Sequence, residues 1–277
     1  GFAGDVFNSL YYAKMLVPED WDIEFYTALG EDQLSDEIIQ FILGHDIICE
    51  KIPRIKNRTA GLYMINLLNG ERKFSYWRSQ SAARKMMLHT NVLAEKIEKA
   101  TFIYLSGISL AILSDRDRIK LLNLIRRAKT PDKTVFFDSN IRPKLWRNSK
   151  VMRSSLEDAG SVADIVLPSF DDEARTFGDI SDSDVASRYL SLGAQQVIVK
   201  NGSQPILLAT SLGMERVPFT SVDVVIDSTA AGDSFNGALI AYLAAGKSTG
   251  EAIKMAQECA AIVITHFGAL VPKEKLI

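Results

Sequence analysis

The chain has 277 residues, 47% hydrophobic and 24% charged, with a net charge of -2 and a pI near 6.0. That length supports one large domain or two small ones with ample core, and the balanced charge without a strongly basic patch argues against nucleic acid as a partner. No apolar run reaches the ~20 residues of a membrane span, Cys49 and Cys259 form no metal or redox motif and suit a reducing cytoplasm, and the isolated His45, His89 and His266 argue against a histidine metal site.

The chain opens Gly1-Phe2-Ala3-Gly4-Asp5-Val6-Phe7-Asn8 and leads into a helix expected over Asn8 to Leu16. Asp5 and Asn8 are three apart, so both can reach from one helix face to a sugar hydroxyl; an acid near a helix start is also ordinary. Residues 47–79 then read as consecutive strands: Ile47 to Ile55, Gly61 to Leu68 and Arg72 to Arg78, with Asn69-Gly70 as a hairpin signal. This is expected to be a small antiparallel lid inserted into a domain formed by 1–46 and 80–277. Period-two alternation puts Phe74, Tyr76 and Arg78 on one face, with Tyr63 in the facing strand. Such a face suits a polar ligand, or is a solvated aromatic sheet face.

Beyond the lid, strands and helices alternate. Thr101 to Leu105 is a short apolar run ending in Ser106-Gly107, and Asp115 to Lys129 is an amphipathic helix with Ile119, Leu122 and Ile125 at helical spacing. Thr134 to Phe137 ends at Asp138, Asp164 to Leu167 ends at Pro168, and Gln196 to Lys200 ends at Asn201-Gly202. Continuous apolar strands separated by helices imply a parallel sheet covered on both faces, in which ligands bind beyond the carboxyl ends of the strands. Asp138-Ser139-Asn140-Ile141-Arg142-Pro143 follows one such end. Asp138 and Asn140 can bond a polyol or a metal-bound water, and Arg142 offers a fork for carboxylate or phosphate; the competing reading is an Asx turn closed by proline.

Asp227-Ser228-Thr229-Ala230-Ala231-Gly232-Asp233-Ser234-Phe235 carries the most information. It precedes a buried apolar helix, Gly237 to Ala245, and so places Ala230 to Asp233 at a helix N-terminus. Unpaired N–H groups and the helix dipole make such a terminus a phosphate site, small side chains let the phosphate approach the backbone, and Asp233 can take a proton from an attacking hydroxyl. A plain helix cap is the alternative, but it requires neither the alanine pair and glycine nor a second aspartate. Gly246-Lys247-Ser248 resembles the end of a P-loop, yet Ala241 stands where the first glycine is required. Gly246 is expected to end one helix and Ser248 or Thr249 to cap the next, which runs to His266.

Together Gly4-Asp5-x-x-Asn8, Tyr76-Trp77-Arg78, Leu105-Ser106-Gly107-Ile108, Asp138-x-Asn140-x-Arg142-Pro143-x-Leu145-Trp146, Val199-Lys200-x-Gly202 and Asp227-x-Thr229-Ala230-Ala231-Gly232-Asp233 resemble the ribokinase-like (PfkB) carbohydrate kinases, nearly from end to end. The Tyr-x-Arg and Asn-x-Arg-Pro-x-Leu-Trp elements point to the branch acting on keto-deoxy sugar acids. The resemblance implies a three-layer α/β/α sandwich with a mostly parallel central sheet and a small antiparallel β lid. Separately, the aromatic strands of that lid are expected to pair with the lid of another copy, making a homo-oligomer, and the expected setting is the cytoplasm. The resemblance also implies phosphoryl transfer from ATP with Mg²⁺ to a small sugar acid, with Asp233 as catalytic base and Ala230, Ala231 and Gly232 as the anion hole. Gly4, Asp5 and Asn8 would hold sugar hydroxyls, and Tyr63, Tyr76, Arg78 and Arg142 the keto-acid end, since a carboxylate gives two arginines a purpose that a neutral sugar does not. Lys200, Gly202, Gly232 and Asn236 would flank the nucleotide, and Asp227 and Thr229 resemble a loop that binds a monovalent cation such as K⁺. A neutral-sugar kinase and a non-catalytic sugar- or nucleotide-binding regulator are the competing readings. Two departures stand out: the family's opening strand has no counterpart ahead of Gly1, and its Asn-x-x-Glu motif for magnesium-bound water reads Ser169-Phe170-Asp171-Asp172 followed by Glu173, leaving Asp172 or Glu173 to supply the acid.

Overall fold

The computed structural model describes residues 1–68, 71–219, 222 and 224–276, and over 64–68 and 71–76 the backbone course alone. In chain order, α1 (Asp5–Leu16) leads through β1 (Leu29–Gly30), α2 (Gln33–Leu43) and β2 (Arg54–Ile55) to the hairpin strands β3 (Leu62–Leu68) and β4 (Glu71–Trp77). Next come α3 (Thr90–Lys99), β5 (Phe102–Ser106), α4 (Gly107–Ala111), α5 (Asp115–Ala128), β6 (Thr134–Asp138), α6 (Ser149–Gly160), β7 (Ile165–Val166), α7 (Phe170–Phe177), α8 (Asp182–Ser191) and β8 (Gln196–Val199). The chain ends with β9 (Ile206–Thr210), β10 (Gly213–Val217), α9 (Ala231–Ala244) and α10 (Thr249–Val263).

The main sheet runs in the order β10-β9-β8-β7-β6-β5. β5 to β8 are parallel, whereas β9 pairs antiparallel with β8 and β10 with β9. Successive strand residues point to opposite faces. Val135, Phe137, Val197 and Val199 therefore pack with Leu121, Ile125, Leu156 and Tyr189 of α5, α6 and α8. Phe136, Ile165 and Ile198 pack on the other side with Tyr12, Leu239 and Ile253 of α1, α9 and α10. Both faces are covered by helices, which is why the parallel strands are mostly apolar; the architecture is the expected three-layer α/β/α sandwich.

On the second face α1 and α9 come together unusually closely. A Cβ on Gly237 would sit 2.2 Å from the Ser9 carbonyl oxygen, so only glycine permits this seam. α9 ends as expected, with Gly246 left-handed (φ 77°), and Ser248 caps α10 in a reciprocal capping box with Glu251.

Three elements differ from the sequence reading. α1 begins at Asp5, one turn before Asn8. Ile47 to Ile55 is not a continuous strand. Ile48 makes a bridge to Glu24, and Arg54–Ile55 pairs in parallel with Leu29–Gly30; Lys51 at φ 54° and Pro53, which has no N–H, interrupt a ladder between them. The β9–β10 pair was not anticipated. Residues 200–205 are too few for a parallel crossover, which takes a dozen or more residues, so β9 must return antiparallel. In the hairpin expected to form a lid, β3 and β4 are antiparallel with Tyr63 opposite Tyr76 and Leu62 opposite Trp77; the Asn69-Gly70 turn and the side chains of Phe74 and Tyr76 lie outside the described residues. Among those described, no helix is long and apolar enough to cross a membrane.

Candidate active site

The site lies where α1, α9 and the carboxyl ends of β5, β6 and β8 meet. The chain enters α9 through Ala230, which is left-handed (φ 61°), and the Ser234 N–H then bonds the Ala230 carbonyl at 2.8 Å. Gly232 is exposed, and a Cβ there would lie 3.9 Å from the Lys200 Nζ. An open helix N-terminus beside an ammonium is a cradle for a phosphate.

Asp233 stands in that first turn. Its Oδ2 accepts from Asn8 Nδ2 at 2.8 Å, while the Asn8 Oδ1 accepts from the Gly4 N–H at 3.1 Å. The amide of buried Asn8 is thus oriented by the start of its own helix and turned onto the acid. Removal from water, and then the charge of Asp5, push the Asp233 carboxyl from the usual 3.8 to about 7, against the opposing effects of the Asn8 bond and Lys200. A carboxyl poised there can accept a hydroxyl proton near neutral pH. Asp5 takes the Ser106 hydroxyl at 2.5 Å, and its carboxyl is raised chiefly by desolvation.

Below these acids, Lys200 Nζ donates to Asn236 Oδ1 at 3.0 Å and to Asp138 Oδ1 at 3.3 Å. Asn236 Nδ2 donates to the Tyr104 hydroxyl at 3.1 Å, and Ser9 Oγ donates to the same oxygen at 3.2 Å. The Lys200 ammonium therefore bridges β6 and α9. Asp138 belongs to the motif read from the sequence as a polyol or metal-water contact, whereas Tyr104 and Ser9 were not among the predicted site residues. Tyr104 sits within an apolar strand run, and the only signal was that a buried phenol needs partners.

Arg142, about half exposed, donates to the Ile141 carbonyl at 2.9 Å and approaches Asp172 at 3.4 Å. Its charge also reaches Asp5, whose carboxyl it helps to lower. Asp172 is paired more closely with Arg175, at 2.6 Å. Glu173 is fully buried and accepts from Arg188 at 2.8 Å and from the Tyr189 hydroxyl at 3.1 Å. Glu173 is thus committed to the α7–α8 packing, and of the two candidates for a magnesium-bound water only Asp172 opens toward Arg142 and the site. Among the described residues no group of three or more His, Cys, Asp or Glu is arranged to hold a metal, so a divalent ion here needs oxygens from a bound phosphate chain, as Mg²⁺ commonly uses.

Asp227 is buried and takes the Thr229 N–H at 2.8 Å and the Gly268 N–H at 2.9 Å. It ties the loop before α9 to the segment after α10. Gly202 is left-handed (φ 54°) in the turn after β8. Tyr63 lies on β3, 37% exposed, and Arg78 directly follows β4, beside Gly61. The structure therefore gathers Asp5, Asn8, Arg142, Lys200, Gly232, Asp233 and Asn236 into one place, with Tyr63 and Arg78 on the β3–β4 hairpin and just after it.

A proton acceptor inside an anion cradle is the equipment of a phosphotransferase acting on an alcohol. The whole chain bears this out at the level of the family: residues 1–276 match the pfkB family of carbohydrate kinases, and the chain belongs to that family. Among its relatives are 2-dehydro-3-deoxygluconokinase of Escherichia coli K12, 35% identical with 100% of this chain and 92% of the relative covered, and that of Dickeya dadantii, 32% identical with 100% and 91% covered. A structure of fructokinase with bound ATP from Xylella fastidiosa superposes with a TM-score of 0.84 at 23% identity, covering 99% of this chain and 88% of the other.

Proposed function

We propose that the chain transfers the γ-phosphate of ATP, with Mg²⁺, to the 6-hydroxyl of 2-keto-3-deoxygluconate, giving 2-keto-3-deoxy-6-phosphogluconate. The relatives named above support the substrate. The observation that carries the chemistry is Asp233, bonded to Asn8 in the first turn of α9 with its proton affinity raised to near neutrality.

In this reading Asn8 orients the Asp233 carboxylate, which accepts the proton as the hydroxyl attacks. The α9 N-terminus and Lys200 neutralise charge on the transferred group, so the catalysis is positioning plus electrostatics. Asp5 and Asn8 hold hydroxyls, and Arg142 with the lid's Arg78 holds the carboxylate. Asp172 is the candidate protein contact for Mg²⁺, which would offset charge on the nucleotide phosphates when bound, and the Asp227–Thr229 loop is the candidate place for a monovalent cation. The free, buried thiols of Cys49 and Cys259 suit a cytoplasmic setting.

The test is a substrate panel with ATP and Mg²⁺ scored by ADP release. The keto-deoxy sugar acid should give the highest kcat/KM. A preference for fructose or ribose overturns the substrate, and no turnover with any sugar overturns the enzyme. We also propose that copies associate through the lid, where Leu62 and Trp77, opposite one another across the hairpin, are each 57% exposed. An unchanged mass by light scattering after Leu62→Ser and Trp77→Ser rejects that assembly.

A further inference from the structure

Arg118 lies outside the site, on α5, yet its guanidinium gathers the two loops that build the sugar side. The residue is only 7% exposed. Its Nε donates to the Leu110 carbonyl at 3.0 Å and its Nη2 to the Leu113 carbonyl at 3.2 Å. Nη1 donates to Ser155 Oγ at 3.1 Å and to Asp115 Oδ1 at 3.2 Å. The Cζ stands 4.8 Å from the centre of the Trp146 ring. A planar fork over an aromatic face, with its N–H groups spread over three partner segments, is an arrangement lysine cannot reproduce.

Three of these partners, Leu110, Leu113 and Trp146, lie on segments that lead to the site. Leu110 lies in the last turn of α4, where its carbonyl also takes the Leu113 N–H at 3.2 Å, and Leu113 lies just beyond that helix. The other end of α4 is Ser106-Gly107: Ser106 holds Asp5, and Gly107 lies so close to Ser139 that a Cβ would fall 1.9 Å from its carbonyl oxygen. Trp146 closes the 3₁₀ turn whose first carbonyl belongs to Arg142, with the Leu145 N–H donating to Arg142 at 2.9 Å and the Trp146 N–H to Pro143 at 3.1 Å. One buried cation therefore joins the loop after β5 to the loop after β6. The nucleotide side, built from β8 and the start of α9, is not among its hydrogen-bond partners.

We infer that Arg118 is a positioning residue for sugar-acid recognition: by clamping Trp146 to the end of α4 it sets Arg142 and the Ser106–Asp5 pair at their mutual spacing. The inference rests on the assignment of Arg142 and Asp5 to the sugar side.

The test measures KM for 2-keto-3-deoxygluconate and for ATP separately in the full chain, for Arg118→Met, Arg118→Lys and Trp146→Leu. Displacements of about an ångström cost up to ~100-fold in such sites. Arg118→Met should raise the sugar-acid KM about tenfold or more while the ATP KM stays within about twofold, with Arg118→Lys in between. Arg118→Lys and Trp146→Leu should be non-additive when combined, because they break one contact. If Arg118→Met fails to fold, Arg118→Lys and Trp146→Leu decide by the same criterion. Equal rises in both KM values, additive effects, or an unchanged sugar-acid KM overturn the inference. Failure of the functional reading would show differently, as a parent protein that does not phosphorylate the acid at all.

Discussion

Asn8 and Asp233 are 225 residues apart in sequence and joined by a 2.8 Å hydrogen bond. The bond is possible because α1 and α9 touch backbone to backbone at Gly237 and Ser9. The amide approaches the acid from the opposite helix, so it orients the carboxylate without itself being able to take the proton.

Asp233→Asn keeps the shape and removes the base. Loss of a general base typically costs about 10²–10⁴-fold in rate. We expect kcat to fall by at least that range while ATP binding, measured by calorimetry, is retained. Turnover near that of the parent would remove Asp233 from the mechanism.

The same carboxyl sets a pH dependence. In the ligand-free protein it titrates near 7, so kcat/KM should rise with pH through an apparent pKa close to 7, and that ascending limb should be absent in Asp233→Asn. Stability runs the other way. A carboxyl raised from 3.8 to about 7 by burial contributes stability in its protonated form, complete below 3.8 and lost as the pH climbs to about 7. Asp233→Asn escapes that loss. Its Tm advantage over the parent should grow between pH 5 and 7 and level off above, as read by thermal denaturation across buffers.

Arg142 and Arg78 carry the carboxylate argument. A charge-assisted hydrogen bond contributes about 1.5–3 kcal/mol, so Arg142→Ala should lower kcat/KM for the sugar acid by roughly 10–100-fold. A neutral sugar should be affected far less, and Arg78→Ala should act in the same sense. Equal losses on both substrates would show that the arginines do not read the acid.

Gly237→Ala tests the helix seam. Its methyl would sit 2.2 Å from the Ser9 carbonyl, so the helices must part. Overpacking of this kind costs about 1–3 kcal/mol, which for a chain of this size is a Tm fall of several degrees, roughly 2–4 °C per kcal/mol. Because Asn8 rides on α1, kcat should fall as well, although the substitution touches no substrate group. A fall in Tm with an unchanged kcat would mean that the seam can open without disturbing Asn8 and Asp233.

Much of this was legible in the residues. Small side chains and an acid ahead of an apolar run marked the start of α9, and the continuous apolar strands marked a sheet covered on both sides. Tyr104 was not legible, because in Phe102 to Leu105 it reads as core and its partners arrive from α1, β6 and α9. Glu173 was ambiguous for a related reason: one position along α7 decides whether a carboxylate meets the site or turns inward to Arg188, and charge alone does not report that rotation. The clamp at Arg118 was hidden similarly, since Arg118, Trp146 and Ser155 share no spacing that a linear reading could use.

The outer strand of the sheet has a consequence for how the molecule meets its neighbours. Along β10, Glu215 and Arg216 are exposed, and Arg216 is fastened to Asp182 at 2.6 Å. A second chain laying a strand along this margin would have to strip water from both charges and compete with that ion pair. The sheet therefore has a guarded border on this side, which discourages growth into a continuous ribbon.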